Sequence, residues 1–226
     1  SFYQATASGE SYPALCGTHD AAVCVIGGGF AGLGTALSLA ERGETDIILL
    51  EGETIGHGAS GRNGGFVFGG FSLGERALLD SAGDEAGRAL YRLTLAAVEQ
   101  IRGRIKRYDI DCDARDEGVI LANWFDDDRI LDKQQRFMED RLGVAWQRIS
   151  RADLSEQLRT KRYFGGLFEP AAFHFHPLKY AQGLARVLAG HGVGIHERSK
   201  VTRIEADGHG WRVMTAGGEV CAKDVV

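Results

Sequence analysis

Val23-Cys24-Val25-Ile26-Gly27-Gly28-Gly29-Phe30-Ala31-Gly32 places a continuous apolar run directly before a glycine-rich turn. An apolar run ending in glycine, here Ala21 to Ile26, is the pattern of a strand buried on both faces of a parallel sheet. Phe30 to Arg42 follows with Leu33, Ala36, Leu37 and Ala40 at helical spacing, and Gly43 stops it. Asp46 to Glu51 then reads as a second buried strand. The ten residues therefore sit at the crossover of a β-α-β unit, and Gly27, Gly29 and Gly32 satisfy G-x-G-x-x-G in the one context where that spacing carries meaning.

Each glycine has a physical task there. Gly27 permits the tight turn, Gly29 lets backbone approach a diphosphate, and Gly32 lets the helix lie close to the sheet. The helix that starts near Phe30 aims free N–H groups and the positive end of its dipole at that diphosphate. Glu51 closes the second strand about 19 residues after Gly32, where a carboxylate accepts hydrogen bonds from ribose hydroxyls and repels a 2′-phosphate. Gly27, Gly28, Gly29, Phe30, Ala31, Gly32, Glu51 and Gly52 are thus candidate dinucleotide-binding residues. The bland alternative makes the glycines a mere strand-to-helix turn and Glu51 a solvated strand end. Strand, turn, helix, second strand and acid in one order weigh against it.

The composition sets bounds around this unit. The 226 residues are 44% hydrophobic, with 26 Lys plus Arg against 31 Asp plus Glu and a formal charge of −5. That balance argues against a nucleic-acid partner held by overall basicity, so an anionic cofactor must find its positive potential locally. Cys16, Cys24, Cys112 and Cys221 are scattered without a C-x-x-C pair, which favours reduced thiols and a cytoplasmic setting over a disulfide frame or zinc site. No stretch approaches membrane-spanning length and no basic-then-apolar leader opens the chain, so no membrane span is expected.

Outward from the fingerprint, the reading gives an irregular N-terminal arm over 1–20, a first cofactor-binding part over 21–75, a helical cover and partial substrate domain over 76–176, and a second cofactor-binding part over 177–226. Leu90, Leu93, Ala97, Ile101 and Ile105 predict helix within a Leu73–Tyr108 pair of helices. Gly118–Asn123 and Val144–Ile149 read as strands around a helix over Asp128–Leu142. Ser150 with Asp153 caps a short helix at Ala152–Leu158. His176-Pro177 opens a helix reaching about Ala189. Four strand-like runs (194–197, 200–205, 211–215 and 219–221) follow, with Asp207-Gly208 and Gly217-Gly218 as hairpin signals.

The fingerprint alone does not choose between dinucleotides. The second glycine loop, Ile55-Gly56-His57-Gly58-Ala59-Ser60-Gly61-Arg62-Asn63-Gly64-Gly65, follows the acidic residue too soon for a third strand to cross back, and a longer cofactor would run along it. With that loop, His174-Phe175-His176-Pro177-Leu178-Lys179-Tyr180 and the late meander, the chain resembles the N-terminal half of the D-amino-acid oxidase-like superfamily of FAD enzymes. Ile55–Gly65 is similar to gamma-glutamylputrescine oxidase-like amine and amino-acid oxidases.

The resemblance implies an α/β fold: a Rossmann-like FAD-binding domain of the GR2 type, with a partial α+β substrate domain inserted. It implies FAD as cofactor, with Ala59 and Ser60 at the pyrophosphate and ribityl chain, Arg62, Asn63, Gly64 and Gly65 beside the flavin, and Val201, in the first strand of the meander, against adenine. It also implies a small amine or amino-acid substrate and a C-terminal half of the same protein as partner. No catalytic residue is assigned.

Other candidates have plainer readings. His57 could tune or attach the flavin, or be a free loop residue. His174 and His176 alternate along an extended stretch, yet no third ligand stands at metal spacing, and His176 more naturally caps the following helix. Tyr163, Phe164, Phe168, Phe173 and Phe175 either line an apolar pocket or fill core. Asp126-Asp127-Asp128 reads as a solvated helix start. Three functions stay open: an FAD-dependent oxidase forming an imine and hydrogen peroxide, a dehydrogenase passing electrons to a quinone or carrier, and a non-catalytic FAD-binding fragment.

Overall fold

The arm expected to be irregular begins with a helical turn, α1 (Phe2–Thr6), closed by a capping box. The Ser1 hydroxyl accepts the Gln4 N–H, and the Gln4 side chain reaches back to the Ser1 nitrogen. The first strand, β1 (Gly17–Ile26), starts before its apolar run. It leads through Gly27–Gly29 into α2 (Phe30–Ala40), which buries Leu33, Ala36, Leu37 and Ala40. The second strand, β2 (Ile47–Leu50), is buried at every residue, as a strand covered on both faces must be.

The computed structural model describes residues 1–226 and contains two compact units: 1–65, 105–113 and 176–226 form unit 1, and 66–104 and 114–175 form unit 2. The change of unit falls at Gly65, not at residue 75, and residues 105–113 belong with unit 1. In unit 2, β3 (Phe66–Val67) is followed by α3 (Glu75–Ala82), α4 (Asp84–Arg107, whose last turn belongs to unit 1), β4 (Val119–Ala122) and α5 (Asp128–Phe137). Asp127 caps α5 by accepting the Arg129 N–H, so the acidic run is a helix start. A π turn at Met138–Leu142 extends α5 to Gly143. Then come β5 (Gln147–Ile149), α6 (Arg151–Leu158, capped by Ser150), β6 (Gly166–Glu169) and β7 (Phe173–His174). The antiparallel sheet runs β4-β6-β5, and β3 pairs with β7. Leu78, Leu79, Tyr91, Leu131, Met138, Trp146 and Leu167 share its core.

Unit 1 resumes with α7 (Pro177–Gly190), capped by His176 and buried along Leu178, Ala181, Leu184, Ala185 and Leu188. The strands β8 (Gly194–His196), β9 (Arg203–Asp207), β10 (Gly210–Met214) and β11 (Gly218–Val225) complete a six-stranded sheet in the order β8-β2-β1-β11-β10-β9. Its first four strands are parallel, and β10 and β9 continue it antiparallel. Helices α2 and α7 pack together. Leu15, Ala21, Cys24, Ile48, Leu50, Val213, Val220 and Ala222 form one core cluster of this sheet. No helix is long and apolar enough to cross a membrane.

Unit 2 buries one carboxyl that the sequence reading did not single out. Glu169 is 4% exposed, and burial pushes its pKa up to about 7, against the opposing pull of the Gly69 N–H and with help from the Glu75 charge. A carboxyl whose native pKa lies above its unfolded value binds its proton more tightly when folded. Its stabilising contribution is complete below the unfolded value near 4.5 and is lost as pH rises through about 7. Glu169→Gln, which keeps the shape without the charge, should therefore gain thermal stability relative to the parent between pH 5 and pH 8. Melting curves of the two proteins across that window that stay parallel would contradict this account.

Candidate functional site

The crossover has the geometry the fingerprint demands. Gly27 sits at φ +109°, and its N–H donates to the Leu50 carbonyl at 2.8 Å, tying the turn to the tip of β2. A Cβ on Gly32 would lie 1.9 Å from the Gly27 carbonyl oxygen, so only glycine lets α2 start this close to the turn. Gly29 is the N-cap and offers no side chain. The first-turn amides of Ala31 and Gly32 have no carbonyl four residues back within the helix, which leaves them for a ligand.

Glu51 lies at the tip of that same helix. Its Oε2 accepts the Gly28 N–H at 2.6 Å, and its Oε1 accepts the Glu53 N–H at 2.8 Å. Each carboxylate oxygen keeps a second lone pair for a sugar hydroxyl. Immediately beyond, the Ser199 N–H donates to the Glu51 carbonyl and the Arg198 N–H to the Glu53 carbonyl. A Cβ on Gly52 would come within 3.5 Å of the Lys200 side chain. Val201 thus arrives in the Glu51–Gly52 corner and packs on the core cluster of the sheet. It does so from the link ahead of β9, not from within a strand as expected, because it lies between residues 198–199, bonded to 51–53, and Thr202, the first to bond to the meander at Met214.

The second loop closes on the first. The Gly56 N–H donates to the Gly28 carbonyl at 2.9 Å, and a 3-10 turn at Ala59–Gly61 sets the Ser60 hydroxyl 2.9 Å from the Phe30 N–H. Ser60 therefore stands at the α2 N-terminus, beside Gly29, whose added Cβ would meet the Ser60 oxygen at 2.9 Å. Arg62 is exposed, and its guanidinium lies 3.3 Å from His57 Nε2. A guanidinium only donates, so His57 accepts at Nε2 and carries its proton on Nδ1. Asn63 turns inward on the loop. Its amide nitrogen donates to the Ala59 and Ser60 carbonyls at 3.2 and 2.9 Å, and its oxygen accepts the Gly65 N–H at 2.8 Å. It fixes the loop's shape, and the Asn-Gly dipeptide was the signal for such a turn.

The remaining candidates separate. His176 is buried in unit 1 and accepts the Lys179 N–H at Nδ1. Burial first, and then the Lys179 charge, hold its pKa below the usual histidine value. His174 is exposed on β7 of unit 2, and no three metal-ligating side chains cluster anywhere in the chain. Phe173 and Phe175 are buried, Tyr163 meets Trp124 edge-on, and Phe164 lies under Arg151. Phe168 lines an open cavity of about 540 Å³ in unit 2 with Phe66, Ile120, Gln147 and His174. Glu197, buried at the end of β8, went unread because its partners are 142 and 185 residues away.

An N-terminal helix tip, two glycine loops bonded to each other and a carboxylate at the next strand's end define a dinucleotide-binding α/β protein, and the donor set fits the diphosphate and ribose of FAD. The sequence profile of the family described as FAD dependent oxidoreductase matches residues 22–226, and the chain belongs to that family. It is 37% identical over 212 residues to gamma-glutamylputrescine oxidoreductase of Escherichia coli (90% of this chain, 47% of that one). It is 35% identical over 218 residues to a probable oxidoreductase, OrdL, of Haemophilus influenzae (95% and 50%). The chain spans about half the length of these curated relatives. Among solved structures, glycine oxidase from Geobacillus kaustophilus superposes with a TM-score of 0.71 (24% identity; 92% of this chain, 54% of that one). L-amino acid deaminase from Proteus myxofaciens gives 0.73 (23%; 96% and 49%). At these identities the two structures show the fold.

Two substitutions separate packing from ligand contact. Gly32→Ala should abolish FAD uptake and lower soluble yield, since the new methyl meets a backbone oxygen that cannot move without opening the turn. Ser60→Ala removes one hydrogen bond, about 1 kcal/mol, and should leave a folded protein with FAD affinity several-fold weaker. Fluorescence titration with FAD checks both, and unchanged binding in Gly32→Ala would refute the close-approach argument.

Proposed function

We propose that this chain is the cofactor-holding half of an FAD-dependent enzyme that oxidises the carbon–nitrogen bond of an amine or amino acid to an imine, with oxygen as electron acceptor and hydrogen peroxide as product. The observation that carries the reading is that Glu51 bonds to Gly28 in the glycine turn while Ser60 bonds to Phe30 at the α2 tip two residues on. Bound FAD supplies the hydride-accepting ring. The chain's own residues do the holding. The α2 amides face the diphosphate, Glu51 takes ribose hydroxyls, Val201 lies with adenine, and the 62–65 segment, braced by Asn63, runs beside the ring.

Arg62, beside His57, places positive charge in that segment and offsets charge on the diphosphate or the reduced ring. The amine substrate must be neutral to give up hydride readily, so turnover should rise with pH toward the substrate's own pKa. The name of the Escherichia coli relative directs a substrate screen to alkyl amines and amino acids. Pocket residues and a further cofactor-binding strand are assigned to a second half of the protein. The four free cysteines support a reducing, cytoplasmic compartment.

Protein expressed from its complete reading frame should stay yellow after desalting and form peroxide in air with an amine or amino acid. Dye reduction without oxygen and no peroxide in air would replace oxygen by a quinone or carrier. A colourless protein that takes up no added FAD would overturn the reading altogether.

A further inference from the structure

Glu197 is a buried carboxylate, 3% exposed, that the cofactor reading does not use. A charge in that position is tolerated only when donors surround it, and here they come from two directions. Oε1 accepts the Ile55 N–H at 2.8 Å. Oε2 accepts the Tyr12 N–H at 3.1 Å and the Ser11 hydroxyl at 3.4 Å, with the Arg198 guanidinium at 3.3 Å. Ile55 belongs to the second glycine loop, and Ser11 and Tyr12 belong to the N-terminal arm.

Both directions lead further. Ile55 precedes Gly56, whose N–H donates to the Gly28 carbonyl at 2.9 Å, and Ile55 Cδ1 occupies the space beside Gly28 that a Cβ would need. On the loop side, Glu197 is therefore two hydrogen bonds from the diphosphate turn. On the arm side, Arg198 also donates to the Tyr12 carbonyl. The Leu15 N–H donates to the Ser199 hydroxyl at 2.8 Å, and that hydroxyl donates back to the Glu197 carbonyl at 2.8 Å. At the start of the arm, His176 accepts at Nδ1 from Lys179, so Nε2 carries the proton and donates to Thr6 Oγ1 at 3.0 Å. Gln4 and Ala7 line a cavity of about 140 Å³ with Thr54, His57, Arg62 and Gln182. The arm is thus fastened at both ends and borders the loop.

We propose that Glu197 is a positioning residue that couples residues 1–15 to the two glycine loops, making the arm part of the FAD-binding apparatus. The inference rests on FAD being the cofactor. Because linkage is reciprocal, ordering the arm strengthens FAD binding, and FAD binding orders the arm.

The test compares the protein from its complete reading frame with Glu197→Gln, Glu197→Ala and a deletion of residues 1–15, by flavin-fluorescence titration and by amide hydrogen exchange with and without FAD. In the parent, FAD should slow exchange in 2–15 and 53–57 together. Deletion of the arm should weaken FAD on the order of tenfold. Glu197→Ala should weaken it as much and abolish FAD-dependent protection of 2–15. Glu197→Gln keeps an acceptor for Ile55 while presenting an NH2 to the arm, and should retain more affinity than Glu197→Ala. A merely structural glutamate would lower melting temperature in the variants yet leave FAD-dependent protection of the arm intact, and that result overturns the proposal. So does an arm-deleted protein whose FAD affinity is within twofold of the parent. A parent that binds no FAD overturns the cofactor reading itself.

Discussion

Gly32 and the Gly27 carbonyl approach too closely for any side chain, and from that constraint the rest of unit 1 follows. A helix holds a diphosphate when first-turn amides emerge directly from the strand end toward the ligand. The close start of α2 achieves this and brings the helix tip level with the end of β2. Glu51 then reaches the turn itself, accepting the Gly28 N–H, and the 51–53 backbone is left to pair with 198–199. The close start of the helix, and with it the reach of Glu51 to the turn, depends on one glycine having no Cβ.

The second loop is shaped chiefly by backbone groups. Net charge is negative, yet nearly every bond that shapes the loops involves backbone N–H or carbonyl groups: Gly56 to Gly28, Ser60 to Phe30, Asn63 to three loop positions. Backbone dipoles fixed in this way face a ligand without reorganising when it arrives. The single cation in the loop, Arg62, lies within hydrogen-bonding distance of His57.

Local patterns were legible in the sequence and long-range ones were not. The β1-α2-β2 unit, the Asp127, Ser150 and His176 caps and the late hairpins all follow from residues within a few positions of one another. The Ser1-Phe2-Tyr3-Gln4 capping box was also present to be read, although the arm looked irregular because its anchors lie elsewhere. The change of unit at Gly65 depends on β3 pairing with β7 across more than a hundred residues, through two-residue strands too short for any periodicity. Glu169 looked like one polar residue in an aromatic stretch. Its burial, beside Gly69 and Glu75 about a hundred residues earlier, is a long-range feature.

Glu197 shows why the arm escaped a functional reading. A glutamate at a strand end has an ordinary surface meaning, and burial reverses it: once water is excluded, the carboxylate needs donors, and whatever supplies them is held in place. Tyr12 and Ile55 supply them, one to each carboxylate oxygen, so a segment outside the β-α-β unit becomes bonded, through one side chain, to the second glycine loop. The buried charge costs stability unless both neighbours remain, and for that reason the position of the arm and the shape of the cofactor loop cannot vary independently.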